Sequence, residues 1–440
     1  MAKKRTLLFL IPCLILIHWS WGTSNFISRL DSAKKNDVFL ALEMAKSQLV
    51  DEGLLSREKA ELFYWQGKVQ FSELGDKENA IINFYNALKH FRKINDSKKE
   101  YASLTYLALS YQSLYHYEYA IDYFNEIVTS VQGLDSLSII KTFYNLGSTY
   151  RLNKEYQKAE ESLRICLEYY RRHEIEKKHR NAVLEMGLLF LDQNKLNDSK
   201  TYYNASLNMS QSSKDSIFIG RSLNSLGYIH LLEGDISTAT NLLLNGLAYK
   251  KATDDKRTMI TSYLNLGKVY KRSNQLEKAI PMFEIASQLD PAYADTKKII
   301  EALESLSSYY ESQSDFEKIA EIKSKIIVFT KPYIELSERL KILHSQYQAE
   351  RVYQLNENQE LQASLAIERQ RLIIICLTGL ILLIGIIWLA QHYRRLRRVD
   401  DDLIIYLKRH VKVLNRIGLR YSIDVDKMIA QVEKEEQARS

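Results

Sequence analysis

The chain has 440 residues, 46% of them apolar, with only four prolines and fifteen glycines; so few turn-forming residues over that length exclude a strand-rich protein and point to an all-α fold. The formal charge of +7 is modest, and its excess sits in Lys3-Lys4-Arg5 and in Arg394, Arg395, Arg397 and Arg398, where it reads as a membrane-topology signal and not as a nucleic-acid footprint. Cys13 and Cys376 fall in apolar segments, so Cys166 is left alone in the rest of the chain, without an internal disulfide partner there.

Residues 1–22 read as a secretory signal: a basic start, an apolar stretch from Leu7 to Ile17, and small residues around Ser20 and Gly22. Retention as an uncleaved anchor is the alternative. A lipid-modified Cys13 fits poorly, because Pro12 precedes it. Residues 23–59 form N-terminal capping helices, with Val38, Leu42, Ala45 and Leu49 on one face.

From about residue 60 to 331 the sequence repeats. Aligning FYNLGSTYRLNKEYQKAEESL from Phe143, LNSLGYIHLLEGDISTATNLL from Leu223 and YLNLGKVYKRSNQLEKAIPMF from Tyr263 places one small residue in the first helix of each unit. These are Gly67, Ala108, Gly147, Gly187, Gly227, Gly267 and Ser307, spaced 41, 39, 40, 40, 40 and 40 residues apart. Seven units at so steady an interval mark a repeat architecture. A large residue follows three places later in most units, as in Tyr111, Tyr150, Phe190 and Tyr270. A second small residue comes at Ala120, Ala159, Ser199, Ala239 and Ala279, and a bulky one four further on, at Phe124, Leu163, Tyr203, Leu243 and Phe283. A mid-helix glycine costs about 1 kcal/mol relative to alanine. Its recurrence therefore predicts close approach of a neighbouring helix. Turn residues such as Asn153-Lys154, Gln193-Asn194 and Gly234-Asp235 separate the two helices of a unit.

This pattern resembles the tetratricopeptide repeat family. The unit from Ile260 to Pro291 carries it most fully, with Leu266-Gly267, Tyr270, Ala279, Phe283, Ala286 and Pro291. Other units depart from it: Gln70 and His230 stand where an aromatic is usual, and Ile319 where a small residue is. The resemblance implies a solenoid of antiparallel helix pairs, each touching its neighbours, that binds a protein or peptide in its concave groove. The period of 40 exceeds the family's common 34 and implies longer helices.

Pro332 is expected to end the array. Residues 332–371 then read as one long polar juxtamembrane helix, about 55 Å at the helical rise. Leu336, Leu340, Leu343 and Tyr347 keep a heptad-like spacing that Leu361 and Leu365 resume, so this stretch is either a homodimeric coiled coil through residues 333–370 or a single solvated helix. Residues 372–390, LIIICLTGLILLIGIIWLA, carry no charge and span roughly 28 Å as a helix, enough to cross a bilayer. The arginine excess after them predicts a cytoplasmic C-terminal side. The chain is thus expected in a bacterial inner membrane, repeats periplasmic, with residues 391–440 as a short cytoplasmic helical tail. Leu403, Ile404, Leu407, Val411 and Leu414 would line one face of that tail.

Nothing in the sequence carries enzyme chemistry. No phosphate loop, nucleophile elbow or clustered Cys/His spacing occurs, and no cofactor or metal is implied. His410, in LKRHVKVLN, lacks the surroundings of a kinase phosphoacceptor. Direct nucleic-acid binding is not expected, since no helix-turn-helix with a basic recognition helix is present. The groove candidates are first-helix residues facing away from the core: Lys141, Tyr144, Arg151, Asn181, Arg221, Asn224, Tyr228, Lys268 and Lys271. Cations interleaved with aromatics and amides suit an extended peptide or an acidic ligand. The whole layout is similar to membrane-anchored tetratricopeptide sensors of the Bacteroidetes type, in which a kinase or DNA-binding domain normally follows the span. The sequence stops at Ser440 without one, so the expected output runs through a partner. A structural envelope scaffold, or a shortened relative of a membrane-bound regulator, are the other readings.

Overall fold

The computed structural model describes residues 26–50, 53–289 and 295–395, together with Tyr406, Lys408, Arg409, His410, Lys412, Val413, Lys427 and Lys434. The signal reading of residues 1–22 and most of the tail positions lie outside the described residues. The described chain is helical, without strands, and falls into two compact units, Met1–Ile342 and Leu343–Ser440.

In the first unit, α1 (residues 26–36) and α2 (Val38–Leu49) precede the repeats. Asp37 caps α2 by accepting from the amides of Phe39 and Leu40. Leu30, Ala41, Leu42 and Ala45 pack with Leu62, Trp65 and Val69 of the first repeat helix. The repeats then alternate as α3 (Ser56–Val69) with α4 (Lys77–Lys93), α5 (Ser97–Ser113) with α6 (Tyr117–Ser130), α7 (Ser136–Leu152) with α8 (Tyr156–Arg172), and α9 (Glu176–Asp192) with α10 (Leu196–Ser212). They continue as α11 (Ser216–Glu233) with α12 (Ile236–Ala252), α13 (Lys256–Arg272) with α14 (Leu276–Ser287), and α15 (Thr296–Ser312) with the start of α16 (Phe316–Arg395).

Most of these helices stop the same way. A residue in the left-handed region follows the helix, at Asn95, Tyr115, Lys154, Glu174, Asn194, Lys214, Asp254, Asn274 and Ser314, with Gly75 and Gly234 in the same role. The next amide bonds back to the helix's last turn, as Glu155 N to Tyr150 O (2.8 Å) and Lys195 N to Phe190 O (2.9 Å). This is the Schellman arrangement, which satisfies otherwise orphaned carbonyls. Aspartates Asp96, Asp215 and Asp235 then cap the following helix. Turns within a repeat and between repeats are therefore alike, and the period of 40 is two helix-turn modules of 20 residues, from Lys154 through Glu174 to Asn194.

The two irregular spacings have local causes. Eight residues separate Gly67 from the left-handed Gly75, against seven from Gly147 to Lys154. The extra residue is taken up by a π-helical turn, Gln70–Leu74, that closes α3, the usual way a helix absorbs a one-residue insertion. The short interval from Ala108 to Gly147 arises after α6, where Val131–Asp135 with left-handed Gly133 replaces the standard turn.

The small residue of each first helix seats the bulky residue of its second. A Cβ on Gly147 would lie 2.7 Å from Leu163, and one on Gly267 would lie 2.5 Å from the Phe283 ring. Tyr203 and Leu243 fill the corresponding places at Gly187 and Gly227. The close approach expected from the sequence is thus a side chain occupying the glycine's empty volume. Leu163, Tyr203, Leu243 and Phe283 are all buried.

One boundary differs from expectation. Pro332 does not end a helix: α16 runs unbroken from Phe316 to Arg395, 80 residues, so the second helix of the last repeat and the polar helix are a single element. Proline removes one backbone donor from a helix, and here the ladder on either side carries the chain past it. In the first unit Leu340, on the heptad-like stripe, is fully buried within this one chain, and Arg339 meets Glu78 of α4 at 2.6 Å. A second long-range contact joins the turn after α5 to the start of α15: Tyr115 Oη donates to Asp295 Oδ1 (2.8 Å), and Lys297 Nζ sits 3.6 Å from the centre of the Tyr115 ring. Repeats ordinarily touch only their neighbours, so these contacts mean that the array winds far enough for its early and late parts to meet.

In the second unit α16 contains the helix segment long and apolar enough to cross a membrane, with a window of mean hydropathy 3.0 and none of it buried. Leu372, Ile374, Ile381, Ile384 and Trp388 are all exposed.

Candidate functional site: the inner helices of the repeats

First helices approach one another from repeat to repeat, α7 to α9, α11 to α13 and α13 to α15. They therefore line the inside of the curve, and their outward positions form the candidate binding face. The sequence-predicted residues fall on these helices but do not share one environment.

Arg151 is held. Its Nε donates to Glu185 Oε1 (2.9 Å) and its Nη1 to Asp192 Oδ2 (2.6 Å), both in the next repeat. Burial opposes its charge, but Glu185 and Asp192 outweigh that and push its pKa above the usual arginine value. Arg221 pairs with Asp255 at 3.3 Å, and Lys268 with Glu301 at 2.5 Å. Lys268 also lies 5.5 Å from the Tyr228 ring centre. These three cations act first as stitches between successive repeats, each reaching a carboxylate one repeat on.

Asn224 is only 5% exposed, and its Oδ1 accepts from Ser262 Oγ (2.9 Å), so it belongs to the helix interface. Tyr144 packs against two buried clusters around Leu163 and Cys166. Burial, then Glu185 and Tyr170, raises its pKa. Asn181 and Lys141 are half-buried, and Lys271 is exposed. Lys141, Tyr228, Asn181 and Lys271 thus remain the candidates with surface to offer.

Several buried or half-buried lysines on the inner helices or packed against them were not evident from the sequence. Lys298, deep between α13 and α15, donates to Thr261 Oγ1 (2.6 Å), and burial lowers its pKa. Lys178 lies opposite Lys141, and burial, followed by the charge of Lys141, lowers its pKa. Lys250 is 1% exposed; its Nζ donates to Thr258 O (3.0 Å) and Ser262 Oγ (2.9 Å), and burial pulls its pKa down to about 7. For Lys298 and Lys178 a partner 37 residues away, one repeat apart, is the signal that would have found them, whereas Lys250 reaches only 8 and 12 residues on, into the next helix.

At the N-terminal end of this face a cavity of about 370 Å³ is lined by Ile27, Tyr64, Trp65, Lys68 and Val69, with Glu61 and Lys99 paired at 2.7 Å on its rim. Among the described residues no group of three His, Cys, Asp or Glu side chains is placed to hold a metal ion.

Comparison with known proteins agrees with the geometry. The tetratricopeptide repeat family model matches residues 140–173 and 260–293. No curated protein matches the sequence. Among solved structures the chain is similar to the apo form of RapI (TM-score 0.52, 14% identity, covering 70% of this chain and 85% of that one). It is also similar to a Rap protein complexed with Competence and Sporulation Factor (TM-score 0.51, 14% identity, 71% and 86%). A tetratricopeptide repeat protein from Parabacteroides merdae aligns at TM-score 0.48 and 19% identity, over 64% of this chain and 98% of that one. At such identities the likeness is one of fold. Two units, matched at the register of Gly147 and Gly267, are thus tetratricopeptide repeats, and the array they belong to has a fold similar to that of the two Rap proteins.

Proposed function

We propose that this chain is a single-pass membrane protein of the inner membrane whose repeats, on the periplasmic side, bind a protein or peptide segment along the inner helices. The tail beyond Arg395 passes occupancy to a cytoplasmic partner. The observation that carries the membrane part is the uncharged stretch Leu372–Ala390, in which twelve large apolar side chains between Leu372 and Leu389 are exposed: that many in water would cost far more than they cost in lipid. Support for the binding part comes from the fold, whose recurrent use is protein interaction, and from the mixed cationic, aromatic and amide surface of Lys141, Asn181, Tyr228 and Lys271. A Rap protein of similar fold has been captured with a bound factor. The relay reading rests on α16, which is one helix from the last repeat to Arg395.

Three measurements test this. Protease added to intact spheroplasts should digest the repeats; protection until lysis would place them inside and end the receptor reading. A photo-crosslinking residue at Tyr228 or Lys271 should give partner adducts in cells that the same residue at outer-face Glu168 does not. A reporter kinase domain fused after Arg398 should respond to groove occupancy. Constant output would favour the scaffold reading, in which the protein holds envelope components together with an inert tail.

A further inference from the structure

The cavity of about 370 Å³ beside α3 is walled in part by elements that do not recur in the later repeats. Ile27, Asp31 and Lys34 reach it from α1, which precedes the array, and Ser72 and Glu73 from the π turn Gln70–Leu74 that closes α3. That turn is the one π-helical turn among the described residues, so the extra residue of this unit falls on the cavity wall. π turns inside helices are frequent at functional sites.

One wall is a fixed ring. Trp65 Nε1 donates to Asp31 Oδ1 (2.8 Å), which holds the indole in place, and Ile27 and Val69 pack with it. The lining charges number three of each sign but pair unevenly. Lys99 Nζ and Glu61 Oε2 are 2.7 Å apart. Lys34 Nζ is shared, 2.6 Å from Glu73 Oε1 and 4.0 Å from Asp31 Oδ1. Lys68 makes no ion pair among the described residues; its Nζ lies 5.9 Å from the centre of the Tyr64 ring. Two carboxylates therefore lean on one ammonium, while another ammonium has no carboxylate. An anionic ligand would answer Lys68 and leave the two acids sharing Lys34. A cationic ligand would do the reverse. A molecule that carries both charges answers both.

We propose that this cavity binds a free amino acid as its zwitterion, with the carboxylate on Lys68, the ammonium between Asp31 and Glu73, and an apolar side chain against Trp65 and Val69. Charge-assisted hydrogen bonds at both ends set the direction of such a ligand, and the apolar wall selects its side chain. The site is one for a small molecule, and it stands or falls apart from the partner-binding reading of the inner helices.

The test titrates the full chain in nanodiscs with L-phenylalanine, and with 3-phenylpropionate and phenethylamine, each of which lacks one of the two charges. Calorimetry reads the affinity. 15N-labelled tryptophan, with W65F to assign the resonance, reads the place. L-Phenylalanine should shift the Trp65 indole signal and bind about tenfold or more tightly than either analogue, because each analogue forfeits a charged hydrogen bond. K68M and E73Q should each weaken binding by a similar factor, while K46M on α2 leaves it unchanged. Deleting Ser72 should abolish binding while the helical circular dichroism is kept, so that loss of the site is told apart from loss of the fold. The proposal is overturned if neither L-phenylalanine nor L-leucine at millimolar concentration gives heat or moves the Trp65 signal. Equal affinity for either single-charge analogue, or binding that survives both K68M and the Ser72 deletion, overturns it as well.

Discussion

Lys250 is an amine buried where an alkyl chain would serve. It bonds to Thr258 O and Ser262 Oγ, and Ser262 passes the chain on to Asn224. Its pKa of about 7 lies below that of lysine in the unfolded chain. Between about pH 7 and 10 the unfolded chain therefore holds a proton that the folded chain does not, and stability must rise with pH across that window. The rise is on the order of 4 kcal/mol over three pH units, at 1.36 kcal/mol per unit. Denaturation midpoints measured at pH 7, 8, 9 and 10 should increase, and K250M should flatten the slope; an equal slope in both proteins refutes the assignment. Above pH 10 the buried hydroxyls of Tyr111, Tyr144 and Tyr203, whose pKa values burial raises, turn the trend downward. Gly267 offers a steric counterpart. Alanine there gains about 1 kcal/mol of helix propensity but forces a methyl into the Phe283 ring. Overpacking costs typically 1–3 kcal/mol, so G267A should lower the denaturation midpoint, and F283L in the same chain should recover part of the loss.

At the scale of the helix and its turn, the left-handed terminus is the shared device. Lys154 and Lys214 adopt φ of 65° and 54°, a region that costs a side-chain-bearing residue roughly 1–2 kcal/mol and glycine nothing. Replacing either by glycine should stabilise the protein slightly, after the entropy that glycine adds to the unfolded chain is deducted. Asn194 to glycine should change it less, because asparagine tolerates this region. Thermal unfolding of the three single variants gives that order directly. The π turn Gln70–Leu74 carries a related expectation. Deleting exposed Ser72 should restore a regular α3 and keep the helical circular dichroism, whereas deleting a residue between Gly147 and Asn153 should lower it, because no slack exists there. At this scale the repeat register, the small-to-bulky packing and the turns were legible from residue spacing, since each is local. The passage of α16 through Pro332 was not legible. Proline disfavours a helix locally, and the backbone ladder on either side of it carries the 80-residue element through.

For the molecule as a whole, the contact of Tyr115 with Asp295 and Lys297 closes a turn of the array. Spin labels at Glu118→Cys and Glu304→Cys, with Cys13 and Cys376 changed to serine, should report one narrow distance. Y115A with K297A should broaden and lengthen it, and an unchanged distribution would show that the contact holds nothing. I381K with I384K should release the chain from membranes under alkaline wash, since each charge at mid-bilayer costs about 2.5–3.5 kcal/mol.

The sequence by itself determined the all-α class, the repeat register and the uncharged segment, because periodicity, glycine placement and hydropathy act over a few residues and need no knowledge of distant ones. Which groove candidates are committed was decided only by the tertiary structure. Arg151, Arg221 and Lys268 are drawn into ion pairs with carboxylates one repeat on, Asn224 is sealed beneath Ser262, and Lys141 is set against another lysine. Those outcomes depend on which side chain the neighbouring repeat happens to present. Charge and burial are properties of the assembled neighbourhood, whereas periodicity belongs to the chain.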